Sequence, residues 1–172
     1  SDGTTLEYST YLGGTQREYP HSIVTNEEGD IYVMGTSGSL DFPTTIDAFQ
    51  ADFNGGPFID LGVNSFYGSF DAGCDIVISK INGITGALDA STFVGGTDND
   101  GLNLGAKLNY NYGDVCRGEI NVDGTGDIWV ASSTRSADFP MVQAFDPALN
   151  GTCDAVVFRL NESLSELEFS SY

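Results

Sequence analysis

The sequence predicts an all-β chain built from two copies of a four-strand unit. Three observations carry this. Segments recur in the same order at long intervals, glycine-rich turn signals separate short β-branched and aromatic runs, and no window shows a convincing 3.6-residue period. The recurring segments begin with Tyr8-Ser9-Thr10-Tyr11-Leu12-Gly13-Gly14-Thr15, which returns 82 residues later as Ala90-Ser91-Thr92-Phe93-Val94-Gly95-Gly96-Thr97. A third start, Phe169-Ser170-Ser171-Tyr172, closes the chain. Gly29-Asp30-Ile31-Tyr32-Val33-Met34-Gly35 and Asp41-Phe42-Pro43 return 97 residues on, as Gly126 to Ser132 and Asp138-Phe139-Pro140. Cys74 to Asn82 returns 79 residues on as Cys153 to Asn161. The intervals differ because insertions fall at different places. The first repeat therefore spans residues 1–96 with an insertion at about 51–73, and the second spans 97–172 with an insertion at about 97–116.

The second copy shows all four strands. Glu119 to Val122 is strand A and Asp127 to Ser133 is strand B, joined by Asp123-Gly124-Thr125-Gly126, which has the chemistry of a tight hairpin. Asp154 to Leu160 is strand C, and Leu167 to Tyr172 begins strand D. Strands B and C are almost continuously apolar, the pattern of strands buried on both faces. Ile46 to Gln50 has room for one helical turn and no more. Four-strand units at this spacing are the signature of β-propeller blades. Two blades cannot close a ring, because propellers use about 4–8. The expectation is thus a piece of a longer polypeptide, or of an assembly that completes the ring, with an orphan strand D near Tyr8 and open edge strands able to pair with another chain.

These segments, Tyr-Ser-Thr-Tyr-Leu-Gly-Gly, Gly-Asp-Ile-Tyr-Val, Asp-Phe-Pro-Thr-Thr and Asp-Ile-Val-Ile-Ser-Lys-Ile-Asn, resemble the bacterial β-propeller repeat abbreviated SBBP. The resemblance covers about two thirds of the chain. It implies an exported or surface-attached bacterial protein and supplies no catalytic residues.

Composition narrows the function classes. Six Lys+Arg stand against 25 Asp+Glu, a net charge of −19, and the basic residues are scattered singly. Phosphate backbones and anionic membrane surfaces repel such a chain. Disorder is disfavoured by 40% hydrophobic and 12% aromatic content. No apolar run reaches the roughly 18 residues of a membrane helix.

In an A-B-C-D blade the A–B and C–D turns share one face and the B–C and D–A loops share the other. All the long loops fall on the second: roughly Gly38 to Gly73, Gly95 to Cys116 and Thr134 to Thr152. Their acids are Asp41, Asp47, Asp52, Asp60, Asp71, Asp98, Asp100, Asp114, Asp138 and Asp146, against Lys107 and Arg135. Crowding of these acids is expected to raise some of their pKa values. Phe42, Phe49, Phe139 and Phe145 recur at equivalent places, as scaffold would. Phe66, Tyr67, Tyr110 and Tyr112 do not recur, and rings with nearby Asn, Asp and Gly suit carbohydrate. Alternating oxygen donors make Asp98 and Asp100 the calcium candidates, although no complete calcium loop is legible. His21, the single histidine, reads as structural, and no nucleophile elbow or catalytic set is present.

The three cysteines, Cys74, Cys116 and Cys153, fall at the loop face. An exported protein permits a disulfide, and the expectation is Cys116 bridged to Cys153 or Cys74. The leading functional expectation is a non-catalytic structural or recognition module of an exported surface protein. The alternatives are a carbohydrate-binding or carbohydrate-active module, and a self-assembling subunit.

Overall fold

The computed structural model describes residues 3–6, 8–62, 68–103 and 114–172, and it contains strands and no helix among them. Two four-stranded antiparallel sheets make up the protein. The first orders β1 (Glu18–Thr25), β2 (Ile31–Ser37), β5 (Asp75–Ile81) and β6 (Leu88–Val94). The second orders β7 (Glu119–Val122), β8 (Ile128–Thr134), β9 (Asp154–Leu160) and β10 (Leu167–Ser171). Sequence order equals spatial order in both, the A-B-C-D meander of a propeller blade. A two-residue hairpin, β3 (Ile59–Asp60) with β4 (Ser69–Phe70), sits inside the first insertion.

Local chemistry explains the hairpins. In β7–β8, Asp123 N–H donates to the Asp127 carbonyl at 3.0 Å and Gly126 N–H to the Asp123 carbonyl at 3.1 Å, with Gly126 at φ +91°. The first copy repeats this, with Gly29 at φ +89° donating to Asn26. Left-handed backbone of this kind favours glycine.

The sheets stack face to face. β2 and β5 turn Tyr32, Met34, Ile76 and Ile78 towards Ile120, Ile128, Val130, Val156, Phe158 and Leu160 of the second blade, and these form one buried cluster. Leu164, in the β9–β10 turn, reaches into the same cluster, and its carbonyl accepts the Phe49 N–H at 2.9 Å. Lys80 reinforces the junction. It pairs with Asp30 of its own blade at 3.3 Å and with Glu162 of the other at 2.7 Å.

Two expectations are corrected here. Residues 8–14 do not form strand D. Tyr8 instead bonds its hydroxyl to the Gly86 carbonyl, and Leu12 packs with Phe42, Val77 and Phe93, because no strand among the described residues offers that segment a ladder. The outer edges are not open either. Thr45 and Phe93 N–H donate to Ser91 and Gln50 carbonyls across β6, and Val142 bridges Ser170 of β10. Each blade thus covers its own outermost strand with its B–C loop, a standard defence against edge pairing.

Candidate functional site

The long loops meet at one end of the blades, held by a clasp that occurs twice. In the first copy, Glu18 accepts hydrogen bonds from Gly14 N–H (3.2 Å), Ser37 Oγ (3.0 Å) and Ser39 Oγ. Asp41 accepts from Thr15 N–H at 2.8 Å, and Ser39 Oγ accepts from Gln16 N–H at 2.8 Å. In the second copy Asp100 takes the place of Glu18, accepting from Gly96 N–H (2.8 Å), Ser136 Oγ (3.0 Å) and Thr134 Oγ1. Asp138 accepts from Thr97 N–H at 2.9 Å, and Ser136 Oγ from Asp98 N–H at 2.9 Å. The repeated Gly-Gly-Thr and Asp-Phe-Pro motifs are therefore two halves of one loop-to-loop junction. The second glycine of each pair is required by space: a Cβ on Gly14 would fall 2.6 Å from Ser39 Cβ, and one on Gly96 2.5 Å from Ser136 Cβ.

The second clasp contains an addition that motif spacing missed. Asp75, at the start of β5, is fully buried, and its carboxylate accepts the N–H groups of Asn54 (2.8 Å) and Gly55 (3.1 Å). Asp75 Oδ1 and Asp100 Oδ2 lie 2.5 and 2.8 Å from the point where a Gly95 Cβ would sit, so the two oxygens are at most about 5.3 Å apart. Neither carboxylate makes an ion pair among the described residues. Burial raises Asp75 to about 6. Burial, with the charge of Asp75 beside it, raises Asp100 to about 7. Asp41 and Asp138 go the other way, lowered chiefly by the Thr15 and Thr97 backbone N–H groups. Burial, ahead of any neighbouring charge, is thus what raises the loop acid Asp100 and the β5 residue Asp75. The signal available in the sequence was an aspartate opening an otherwise apolar strand.

The calcium candidates diverge. Asp100 faces inward to its three donors, whereas Asp98 Oδ1 accepts the Asn99 N–H at 2.7 Å and faces Arg135 Nε at 3.7 Å. No group of three or more His, Cys, Asp or Glu side chains among the described residues is arranged to hold a metal. Millimolar calcium should shift the melting temperature no more than sodium chloride at matched ionic strength. A calcium-specific rise, lost in Asp98→Asn/Asp100→Asn, would instead make the pair a metal site.

Phe66, Tyr67, Tyr110 and Tyr112 lie outside the described residues. Cys74, Cys116 and Cys153 are free thiols, so the expected disulfide is not formed. Cys74 and Cys116 share an apolar cluster with Phe70 and Leu102, where Cys74 Sγ contacts the Asp100 carbonyl at 3.3 Å, and burial raises Cys116 to about 12. Cys153 precedes β9 in the other sheet and does not belong to that cluster. His21 sits at a β-bulge in β1, with Nε2 3.0 Å from Thr36 Oγ1, and burial lowers it to about 4. Phe42 and Phe139 are core, as their recurrence suggested, whereas Phe145 is exposed.

The opposite face carries a cavity of about 310 Å³ between the two A–B turns, lined by Glu27, Glu28, Asp123 and Glu162 among others. Asp123 there is lowered to about 2, first by Thr125 and also by Trp129 Nε1, which donates at 2.9 Å.

Two four-stranded meanders stacked face to face, with repeated loop junctions at one end, define β-propeller blades. Residues 7–43 match the family model of the SBBP beta-propeller repeat, a span that runs from before β1 through β2 to the Asp-Phe-Pro motif. No curated protein and no solved structure matched the chain.

Proposed function

We propose that the chain is a non-catalytic structural and recognition module of an exported bacterial surface protein, which presents its long B–C and D–A loops on one face. The observation that carries this reading is the doubled clasp. Both blades use carboxylates, glycines and hydroxyls to fix loops to the scaffold, the arrangement expected where a rigid frame displays variable segments. The family match supports a structural or binding role. The export assignment rests on the repeat resemblance, and the excess of 25 acids over six bases is compatible with it. A glycan array with the protein tests the reading: a scaffold leaves every glycan unbound. Dose-dependent binding to one glycan class would replace it with the carbohydrate-binding alternative.

A further inference from the structure

The internal blade junction repeats a pattern that the outer surfaces leave half-made. By the repeat equivalence, Tyr32, Met34, Ile76, Ile78 and Lys80 on the front of the first blade correspond to Trp129, Ala131, Ala155, Val157 and Arg159 on the front of the second. On the back, Ile23, Ile31, Val33 and Val77 of the first blade correspond to Ile120, Ile128, Val130 and Val156 of the second. The residues that a blade covers are buried, and those that none covers are open or half-buried, except Val77, which lies under Phe42 and Phe93 of its own blade. Ile120 is 4% exposed and Ile23 is 65%; Ile78 is fully buried and Val157 is 37% exposed. Phe49 packs against the core, whereas its counterpart Phe145 is 78% exposed.

We propose that the front of the second blade docks onto the back of the first blade of a second copy of this chain, repeating the internal junction head to tail. The proposal rests on the structural-module reading and names its partner. Charge selects this occupant. The internal junction borrows Glu162 from across the interface to pair with Lys80, and the equivalent turn position in the first blade is Gly83, which has no acid to lend. Arg159 needs none. It pairs with Asp127 at 3.7 Å and with Glu168 of its own β10 at 3.0 Å, and it lies over the Trp129 ring. The first blade's back is therefore met by a front that carries its own counter-charges. Volume agrees. The second front carries Trp129 and Phe169 where the first has Tyr32 and Ala90. The first back carries Ser79 where the second has Phe158, and beside Ser79 lies an open apolar cavity of about 180 Å³ that includes Leu12, Val33, Phe42 and Val77. A contact between unlike faces is heterologous, so it propagates to a ring or a chain of copies rather than stopping at a symmetric dimer.

Sedimentation velocity over a wide concentration range tests this. The protein should associate with increasing concentration, and Val157→Asp on the front and Ile23→Asp on the back should each weaken association at least tenfold. Both positions are solvent-facing in the single chain, so circular dichroism and the melting temperature of the monomer report any misfolding. A mixture of the two variants retains one intact front and one intact back and should form dimers that grow no further. A wild-type chain that stays monomeric at high concentration, or a variant mixture that stays monomeric, would overturn the docking. Either result leaves a silent glycan array, and with it the scaffold reading, intact.

Discussion

Raising the pH from 4 to 7 should cost the fold about 4 kcal/mol, the reverse of the usual behaviour of an acidic protein. The sign follows from three buried groups. Asp75 and Asp100 hold their protons in the folded state up to about 6 and about 7, whereas the unfolded chain releases them near 3.8. Over that interval only the folded protein binds these protons, so stability is present at low pH and is lost as the pH rises. Each decade costs about 1.4 kcal/mol per group. His21 works in the opposite sense. Between about 4 and 6.5 the unfolded chain binds a proton that the buried imidazole refuses, which returns part of the loss as the pH rises. Below pH 4 stability falls again, because Asp30, Asp41, Asp123 and Asp138 are all lowered in the folded state. Urea denaturation across pH 3–8 should therefore peak near pH 4. Asp100→Asn, which mimics the protonated acid, should flatten the curve, and Asp75→Asn/Asp100→Asn should invert it above pH 4. A wild-type curve that rises towards pH 7 would show that the two carboxylates are ionised at no cost.

Gly96→Ala should destabilise the protein by about 3 kcal/mol, the upper range for overfilling a packed site. The added methyl has nowhere to go. It meets Ser136 Cβ at 2.5 Å and Ser136 Oγ at 2.9 Å, together with the Asp138 carboxylate that anchors Thr97. Relief requires opening the loop junction, which strips Asp100 of the Gly96 N–H and the Ser136 hydroxyl. Gly124→Ala is the matched control. No atom lies within 4 Å of its added methyl, and its cost should stay within about 0.5 kcal/mol. Equal losses in the two variants would mean that the clasp is not under spatial constraint.

In the second blade the strands were legible almost to the residue, whereas the strand expected near Tyr8 does not form. Strand C, read as Asp154 to Leu160, is β9 itself, and strand B, read as Asp127 to Ser133, is displaced from β8 by one position. Apolar runs between glycine turns place these strands, but continuous apolar character did not report burial on both faces, since Ala131, Ala155 and Val157 of β8 and β9 are exposed. The sidedness of the loops was legible too, because it follows from strand order. What was not legible is long-range polar pairing. Asp75 gives no periodic signal, and its role depends on Asn54, Gly55 and Asp100 arriving from two loops. Asp98 and Asp100 alternate along the chain as cation ligands would, yet their carboxylates turn apart once Ser136 and Arg135 are in place. The Ile59–Asp60 and Ser69–Phe70 pairing is two residues long, too short to leave a pattern. Cysteine positions at one face suggested a bridge, but face membership does not fix sulfur-to-sulfur approach.

The second clasp also has a mechanical meaning. The chain leaves β6 at Val94 and passes at once into Thr97, Asp98 and Asp100, all of which are bonded to the Thr134–Asp138 segment at the end of β8. A pull that draws one blade away from the next is thus taken up by several parallel hydrogen bonds close to the point where force enters. Those bonds must rupture together before the load reaches the apolar junction between the sheets. A row of such repeats is accordingly a chain of short, independently fastened links, in which the loops that face outward are also the fastenings that bear tension.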